Sequence, residues 1–392
     1  MFYLDHKSQM SSRSVCQSWK EQVDKPHFWI QKLDSKGGQS KDFRQAWVDL
    51  VGKIPKYCQT LEKEVTECLM KWYGELHLYS ESSLDGMTPI FVAARFGCTK
   101  IVKFIASYKD DLNAPRTDGF TPLHIAAQYG STKIFKFITS KVENLNVVPH
   151  PDGFTPLHIA AQYGRTEIFK FIASKMENPN TPGPDGFTPL LLAAQYGSTD
   201  IFKFLTITSK VENFNAPGPD GCTPLHWAAS YGHTEIFKFI ASKVDNPNSP
   251  DPDGFTPLLL AAQHGSLDIF EFISSKVENL NAPGPNGFTP LLLAAQYGST
   301  DVFKFVASKV DDPNAIGPDG WTPLHWAAQE GHSEIFKFLA LKVENPNASA
   351  PDGQTPLKIA SQHNKIEILS ILLKILSDKI MSNSQAIINS FQ

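Results

Sequence analysis

Twelve histidines are the first candidates for chemistry in this 392-residue chain, since imidazole ligates metals and moves protons near neutral pH. Four of them, His124, His158, His226 and His325, stand at the same place in the phrase Thr-Pro-Leu-His. A metal cage or a general base is built once, from side chains that converge. Here one histidine returns singly along the chain with no cysteine beside it, so it reads as a structural brace. The five cysteines, Cys16, Cys58, Cys68, Cys98 and Cys222, are scattered and form no Cys-x-x-Cys pair. That argues against a disulfide framework or a zinc site and fits a reducing compartment. Cys222 stands in a turn, either as a reactive thiol or as a small replacement for the phenylalanine of neighbouring copies. The glycines punctuate turns at regular spacing and make no phosphate-cradling loop. No Ser/His/Asp arrangement stands out, and the Asn347-Ala348-Ser349 sequon is ascribed to chance. The expectation is a non-enzymatic chain with no catalytic, metal or cofactor-binding residue and no cofactor.

The elements that carry these residues follow from composition and period. With 41% hydrophobic and 19% charged residues, the chain has the make-up of a folding protein and not of a disordered one. Lys and Arg number 12 against 10 Asp and Glu over residues 1–80, and 24 against 30 over the rest, so neither part is basic enough for nucleic acid. No secretory signal opens the sequence and no apolar run approaches the ~18 residues of a membrane span. These features point to an intracellular, cytoplasmic or nuclear protein that binds neither nucleic acid nor membrane.

The phrase Asp-Gly-Phe-Thr-Pro-Leu-His-Ile-Ala-Ala-Gln-Tyr-Gly occurs at 118–130 and again at 152–164, with looser copies downstream. Its prolines, from Pro89 to Pro356, follow one another at gaps of 33, 34, 33, 35, 33, 33, 33 and 33. In the copy from Gly153, Thr155 can cap a helix and Pro156 suits its first position. Leu157, Ala160 and Ala161 share one face, and Gly164 can end the helix in the left-handed conformation. A second helix is expected over TEIFKFIASK, capped by Thr166, with Ile168, Phe171 and Ile172 as its apolar stripe. Asn178-Pro179 is expected to stop it, and a Pro-Asp-Gly turn to project beyond.

The 33-residue period carrying TPLHxAA resembles the ankyrin repeat. The resemblance implies an all-α solenoid of nine helix–turn–helix units with projecting hairpin turns over residues 83–378. A small helical N-terminal region would precede it, and a tail at 379–392 would follow. This chain departs from the family where Val replaces the glycine that ends the second helix, leaving that task to Pro179 and its equivalents. It departs again where Phe169 and Phe171 enlarge the core, and where Leu191, Leu259 and Leu292 replace the histidine. In the family that histidine makes hydrogen bonds that brace the loops, so the three Leu units are expected to rely more on packing.

Residues 1–35 resemble the later part of an F-box, with YLD, VCQSW and a Pro-His-Phe-Trp close. The resemblance implies a helical segment that docks the Skp adaptor of a cullin-type ubiquitin ligase, with Leu4, Val15, Cys16 and Trp19 in its core or adaptor face. The family's opening Leu-Pro helix would lie before Met1, so adaptor binding is expected to be weak as the chain is written. Residues 36–82 read as a helical connector, with Leu61, Val65, Cys68, Leu69 and Trp72 at helical spacing.

A solenoid offers a partner its turn tips and first helices. Tyr129, Tyr163, Tyr196, Tyr231, His264, Tyr297 and Glu330 end successive first helices, off the apolar face. They are expected to line a concave groove that binds a partner protein, unless the rings only stack between units. Phe120, Phe154, Phe187, Phe255, Phe288 and Trp321 either reach the partner or staple onto their own helices, as Phe154 on Ile159 and Trp321 on Trp326. The function implied is a protein-binding scaffold or, through the F-box-like segment, a ubiquitin-ligase substrate receptor.

Overall fold

The computed structural model describes residues 89–390, apart from positions 100–101, 104–105, 107–111, 117, 143–152, 184, 209–210 and 212. The F-box-like segment and the connector lie outside the described residues. In chain order the helices are α1 (Pro89–Phe96), α2 (Pro122–Tyr129), α3 (Thr132–Thr139), α4 (Pro156–Gln162), α5 (Thr166–Ala173), α6 (Pro189–Tyr196), α7 (Thr199–Thr208), α8 (Pro224–Tyr231) and α9 (Thr234–Ala241). They continue with α10 (Pro257–His264), α11 (Leu267–Ser274), α12 (Pro290–Tyr297), α13 (Thr300–Ala307), α14 (Pro323–Glu330), α15 (Ser333–Ala340), α16 (Pro356–Gln362) and α17 (Ile366–Ser390). Among the described residues there is no strand. The fold is the expected all-α repeat array. It divides into two compact units, Met1–Asp185 and Gly186–Gln392. The last helix runs through position 378 without a break.

Each first helix begins where its sequence says it should. Thr155 is extended (φ −89°, ψ 165°), Pro156 takes the first helical position, and the Thr155 hydroxyl lies 2.8 Å from His158 Nδ1. Where histidine is replaced, the threonine oxygen instead accepts directly from the third helical N–H, as from Leu191 at 3.2 Å and Leu259 at 3.3 Å. Both arrangements satisfy a backbone donor that helix geometry leaves orphaned. Gly164 closes its helix at φ 64°, in the left-handed region.

The second helices differ from expectation at both ends. Thr166 is the first helical residue of α5 and Arg165 holds the cap position, because the turn after Gly164 is one residue tighter than the capping reading assumed. At the other end α5 stops at Ala173, well before Pro179. A serine marks the stop in several repeats: Ser174 Oγ donates to Phe171 O at 2.8 Å, and Ser242 and Ser308 do the same to Phe239 and Phe305 at 2.7 Å. The helix Ser333–Ala340 ends at the same place with Leu341 at its cap. The Ser174 hydroxyl takes a carbonyl that would otherwise wait for the next turn, and a tighter Lys175 N–H to Ile172 O bond follows.

Successive repeats meet through phenylalanine. In the first unit the fully buried Phe135 meets Phe171 of the following repeat edge-on, with centroids 6.2 Å apart at 87°. The second unit repeats the contact four times: Phe202 with Phe239, Phe237 with Phe272, Phe270 with Phe305, and Phe303 with Phe338, all between 5.9 and 6.2 Å. The receiving ring is only half-buried and lysines cover its open side. Lys238 and Lys276 lie 5.9 and 5.2 Å from the Phe272 centroid.

Hairpins also dock in series. Gly221 has φ 78°, and a Cβ there would sit 2.2 Å from Cγ of Pro252 in the next hairpin. Hydrogen bonds spanning ten residues tie each hairpin to the helix it precedes. Asn215, Asn248, Asn281 and Asn314 accept from the N–H of Leu225, Leu258, Leu291 and Leu324 at 2.9–3.2 Å. The asparagine or aspartate two residues earlier accepts from each of those asparagines, as Asn246 does from Asn248 N–H at 3.0 Å.

Replacing the fully buried Phe270 by Ala should cost about 3–5 kcal/mol. The same change at half-buried Phe272 should cost visibly less. Urea unfolding of the full chain measures both; equal losses would show that the two rings carry equal weight.

Candidate protein-binding face

The seven residues singled out for a groove all lie exposed at the ends of first helices. Tyr129, Tyr163, Tyr196, Tyr231 and Tyr297 expose between 42% and 57% of their surface. His264 and Glu330 are exposed as well. In the first unit the guanidinium of Arg95 lies 5.1 Å over the Tyr129 ring, and Gln128 Nε2 donates to Tyr163 OH at 3.0 Å. In the second unit Tyr231 stacks on Trp227 at 6.1 Å and on His233 at 6.3 Å. These contacts hold Tyr129, Tyr163 and Tyr231, which stay about half exposed all the same.

The helix ends that carry these rings are fixed from the following repeat. Helix carbonyls at a C-terminus lack partners within the helix. In the first unit Arg165 Nε donates to Gln128 O at 2.9 Å. In the second unit His233 Nε2 and His332 Nε2 lie 3.0 Å from Gln195 O and Gln296 O, Ser299 Oγ donates to Gln263 O at 3.1 Å, and Lys365 Nζ to Glu330 O at 3.0 Å. In the first four cases the acceptor is the residue just before the exposed ring; in the last it is the exposed Glu330 itself. The sequence reading missed these donors, although four of them occupy the position after the helix-ending glycine and Lys365 the position after Asn364.

The aromatic residues before the threonine caps divide between two arrangements. Trp321 stacks onto Trp326 at 5.1 Å, the expected staple within one repeat. Phe154 meets His158 edge-on at 5.9 Å, one position short of the expected Ile159. Phe187 and Phe288 reach forward to Trp227 and Trp326 of the following repeat, at 6.5 and 5.8 Å. Tryptophan at this position thus gathers a cluster with Phe187, Tyr231 and His233 in one place, and with Phe288 and Trp321 in another.

The four phrase histidines are buried. His124 shows the brace most completely: Nδ1 faces the Thr121 hydroxyl at 2.8 Å, and Nε2 lies 3.1 Å from Phe154 O of the next repeat. Among the described residues no three His, Cys, Asp or Glu side chains gather as a metal-binding set. Cys222 is half-buried, with Sγ 3.8 Å from Asp251 Oδ2. Burial first, then the carboxylates of Asp220, Asp251 and Asp253, push its thiol up to about 12, so it stays protonated and weakly nucleophilic at neutral pH.

Leucine in place of the phrase histidine has its own counterpart. A Cβ added at Gly284 would fall 2.3 Å from Leu259 Cδ1, at Gly317 3.0 Å from Leu292 Cδ1, and at Gly218 3.2 Å from Leu191 Cδ1. Each leucine therefore fills the space of a side chain missing from the next hairpin. The packing expected of these units is present, and it depends on the neighbour.

Stacked helix pairs with docked hairpins define a repeat protein whose exposed helix ends carry aromatic side chains. A family model for ankyrin repeats in sets of three matches overlapping segments between residues 59 and 383, and the chain belongs to the ankyrin-repeat family. The F-box domain model matches residues 1–31, the segment that holds Leu4, Val15, Cys16 and Trp19, all outside the described residues. Comparison with curated proteins gives no match. Ankyrin repeats indicate protein–protein interaction and an F-box suggests an adaptor role in a cullin-type ligase; both are typically non-enzymatic modules. No described helix is long and apolar enough to cross a membrane.

Burial lowers the proton affinity of His226 and His325 below the ordinary value of 6.5. In each, Nδ1 accepts from the N–H of the threonine cap, at 3.1 and 3.3 Å, which requires a neutral ring. The unfolded chain then binds more protons as pH falls. This contribution to stability is complete above about pH 6.5 and is lost as pH drops toward the depressed folded values. The melting temperature of the full chain should fall between about pH 7 and pH 5; a flat profile across that window would contradict the neutral brace.

Proposed function

We propose that this chain is a non-enzymatic scaffold, cytoplasmic or nuclear, that holds a partner protein against the exposed ends of its first helices. The observation that carries this reading is the tyrosine row: five rings at one repeat position, each about half exposed. Tyrosine gives a large contact area at low entropic cost and is enriched where binding energy concentrates. The helix ends before Tyr129, Tyr196 and Tyr297 are held from the next repeat, so a partner would meet a surface already ordered there. Replacing Tyr196, Tyr231 and Tyr297 together by Ala should lose binding of a partner captured by the full chain, at about 2 kcal/mol or more per residue that acts as an anchor. Stability should change by only about 0.5 kcal/mol per site, as at other exposed positions. A large fall in melting temperature with unchanged affinity would assign the row to packing between repeats.

The F-box match favours a second reading, in which the repeats hold a substrate while residues 1–31 dock the Skp adaptor of a ubiquitin ligase. On that reading the full chain binds purified adaptor. Trp19→Ala weakens the binding about tenfold or more, the loss typical of an interface anchor, and the tyrosine triple variant leaves it intact. Failure of the unaltered chain to bind adaptor, and of a chain extended upstream by a Leu-Pro helix to gain binding, would overturn this second reading.

A further inference from the structure

The ninth repeat differs from those before it on the side where a following repeat would lie. Its first helix has become polar there. Lys358 and Ser361 are exposed, at positions where repeats two to eight carry His or Leu, and Ala. Its second helix has changed in the opposite direction. Leu373 stands where those repeats carry Ala, Ser or Thr, and Ile366 where six of the seven carry Thr or Ser. Ile366, Leu373 and Ile380 expose 76%, 57% and 66% of their surface. A helix adapted only to water would not place three large aliphatic side chains there while the helix beside it became polar.

The spacing identifies what such a face fits. Ile366, Leu373 and Ile380 recur every seven residues, and the half-buried Leu369 and Leu376 lie between them at alternating steps of three and four. That is the spacing of the seam of a two-stranded coiled coil over two heptads, and in sequence the polar Asn383 and then Ile387 take the next two positions. The other face of α17 buries Ile368, Leu372 and Ile375 within its own chain. Lys379 fastens the extension by donating to Val343 O and Glu344 O, both at 2.8 Å. At 25 residues the helix is about 37 Å long, far longer than the other second helices.

Charges bordering a seam choose its partner. Here one border carries the exposed Ser370 and Ser377, and Lys379 on the other is already engaged with its own chain. Nothing in this border selects a helix of different charge, whereas a second copy supplies the same apolar period and the same neutral edge. We propose that two copies of this chain pair through α17, the Ile366, Leu369, Leu373, Leu376 and Ile380 seam packing on itself in an isologous contact. Sedimentation of the full chain at micromolar concentration should show a dimer. Leu373→Glu with Ile380→Glu should raise its dissociation constant about a hundredfold or more, because each charge would be buried unpaired, while the helical circular-dichroism signal stays unchanged. Ile366→Glu offers a second test without cost to folding, since an acid at the first position of a helix suits its dipole; it should weaken the dimer about tenfold or more. A monomeric full chain, including one that instead binds phospholipid vesicles, overturns the proposal. So does a dimer that both variants leave intact.

Discussion

A single repeat of this chain has too little apolar surface to bury by itself, and each feature described above answers that constraint. The edge-on pairing of a buried phenylalanine with the half-open phenylalanine of the following repeat is the central answer. It converts two incomplete cores into one, and the lysines over the outer ring let an aromatic residue stand at the surface. Because each repeat completes its neighbour, the same contact has to be made again at every step, which is why one phrase is written so often.

Polar contacts follow the same direction of dependence. In the second unit a carbonyl at the end of four first helices, Gln195, Gln263, Gln296 and Glu330, is satisfied from the next repeat by histidine, serine or lysine, in no fixed chemistry. The donor's identity drifts while its task stays. The helix ends under the exposed residues are thereby held from the neighbouring repeat.

Much of the architecture was legible in the sequence because it is local. Thr-Pro marks the helix start, glycine its end, and a period of 33 the stack. What stayed hidden spans distances that pattern reading does not weigh. The Asn248 contact to Leu258 N–H joins residues ten apart, and its recurring Asn-x-Asn spelling was open to view but unread. The helix stop before Ser174 was missed because proline is the louder signal; the helices end well ahead of it, whether serine or, as at Leu341, leucine holds the cap. The exposure of the tyrosines could be expected from helical phase. The contacts of Tyr231 with Trp227 and His233 could not, since they depend on which aromatic the repeat happens to carry.

The fit of Leu259 over Gly284 has a consequence for how such a chain changes over generations. Arrays of near-identical units lengthen and shorten by recombination between copies, which treats the units as interchangeable. They are not interchangeable at the leucine positions. Deleting residues 218–250 would leave the period intact and bring Leu191 opposite Asp251, a side chain in the space Gly218 leaves empty. The unit of inheritance is therefore offset from the unit of folding: a leucine and the glycine in the hairpin after it travel together, and viable crossovers fall where that pair is kept whole.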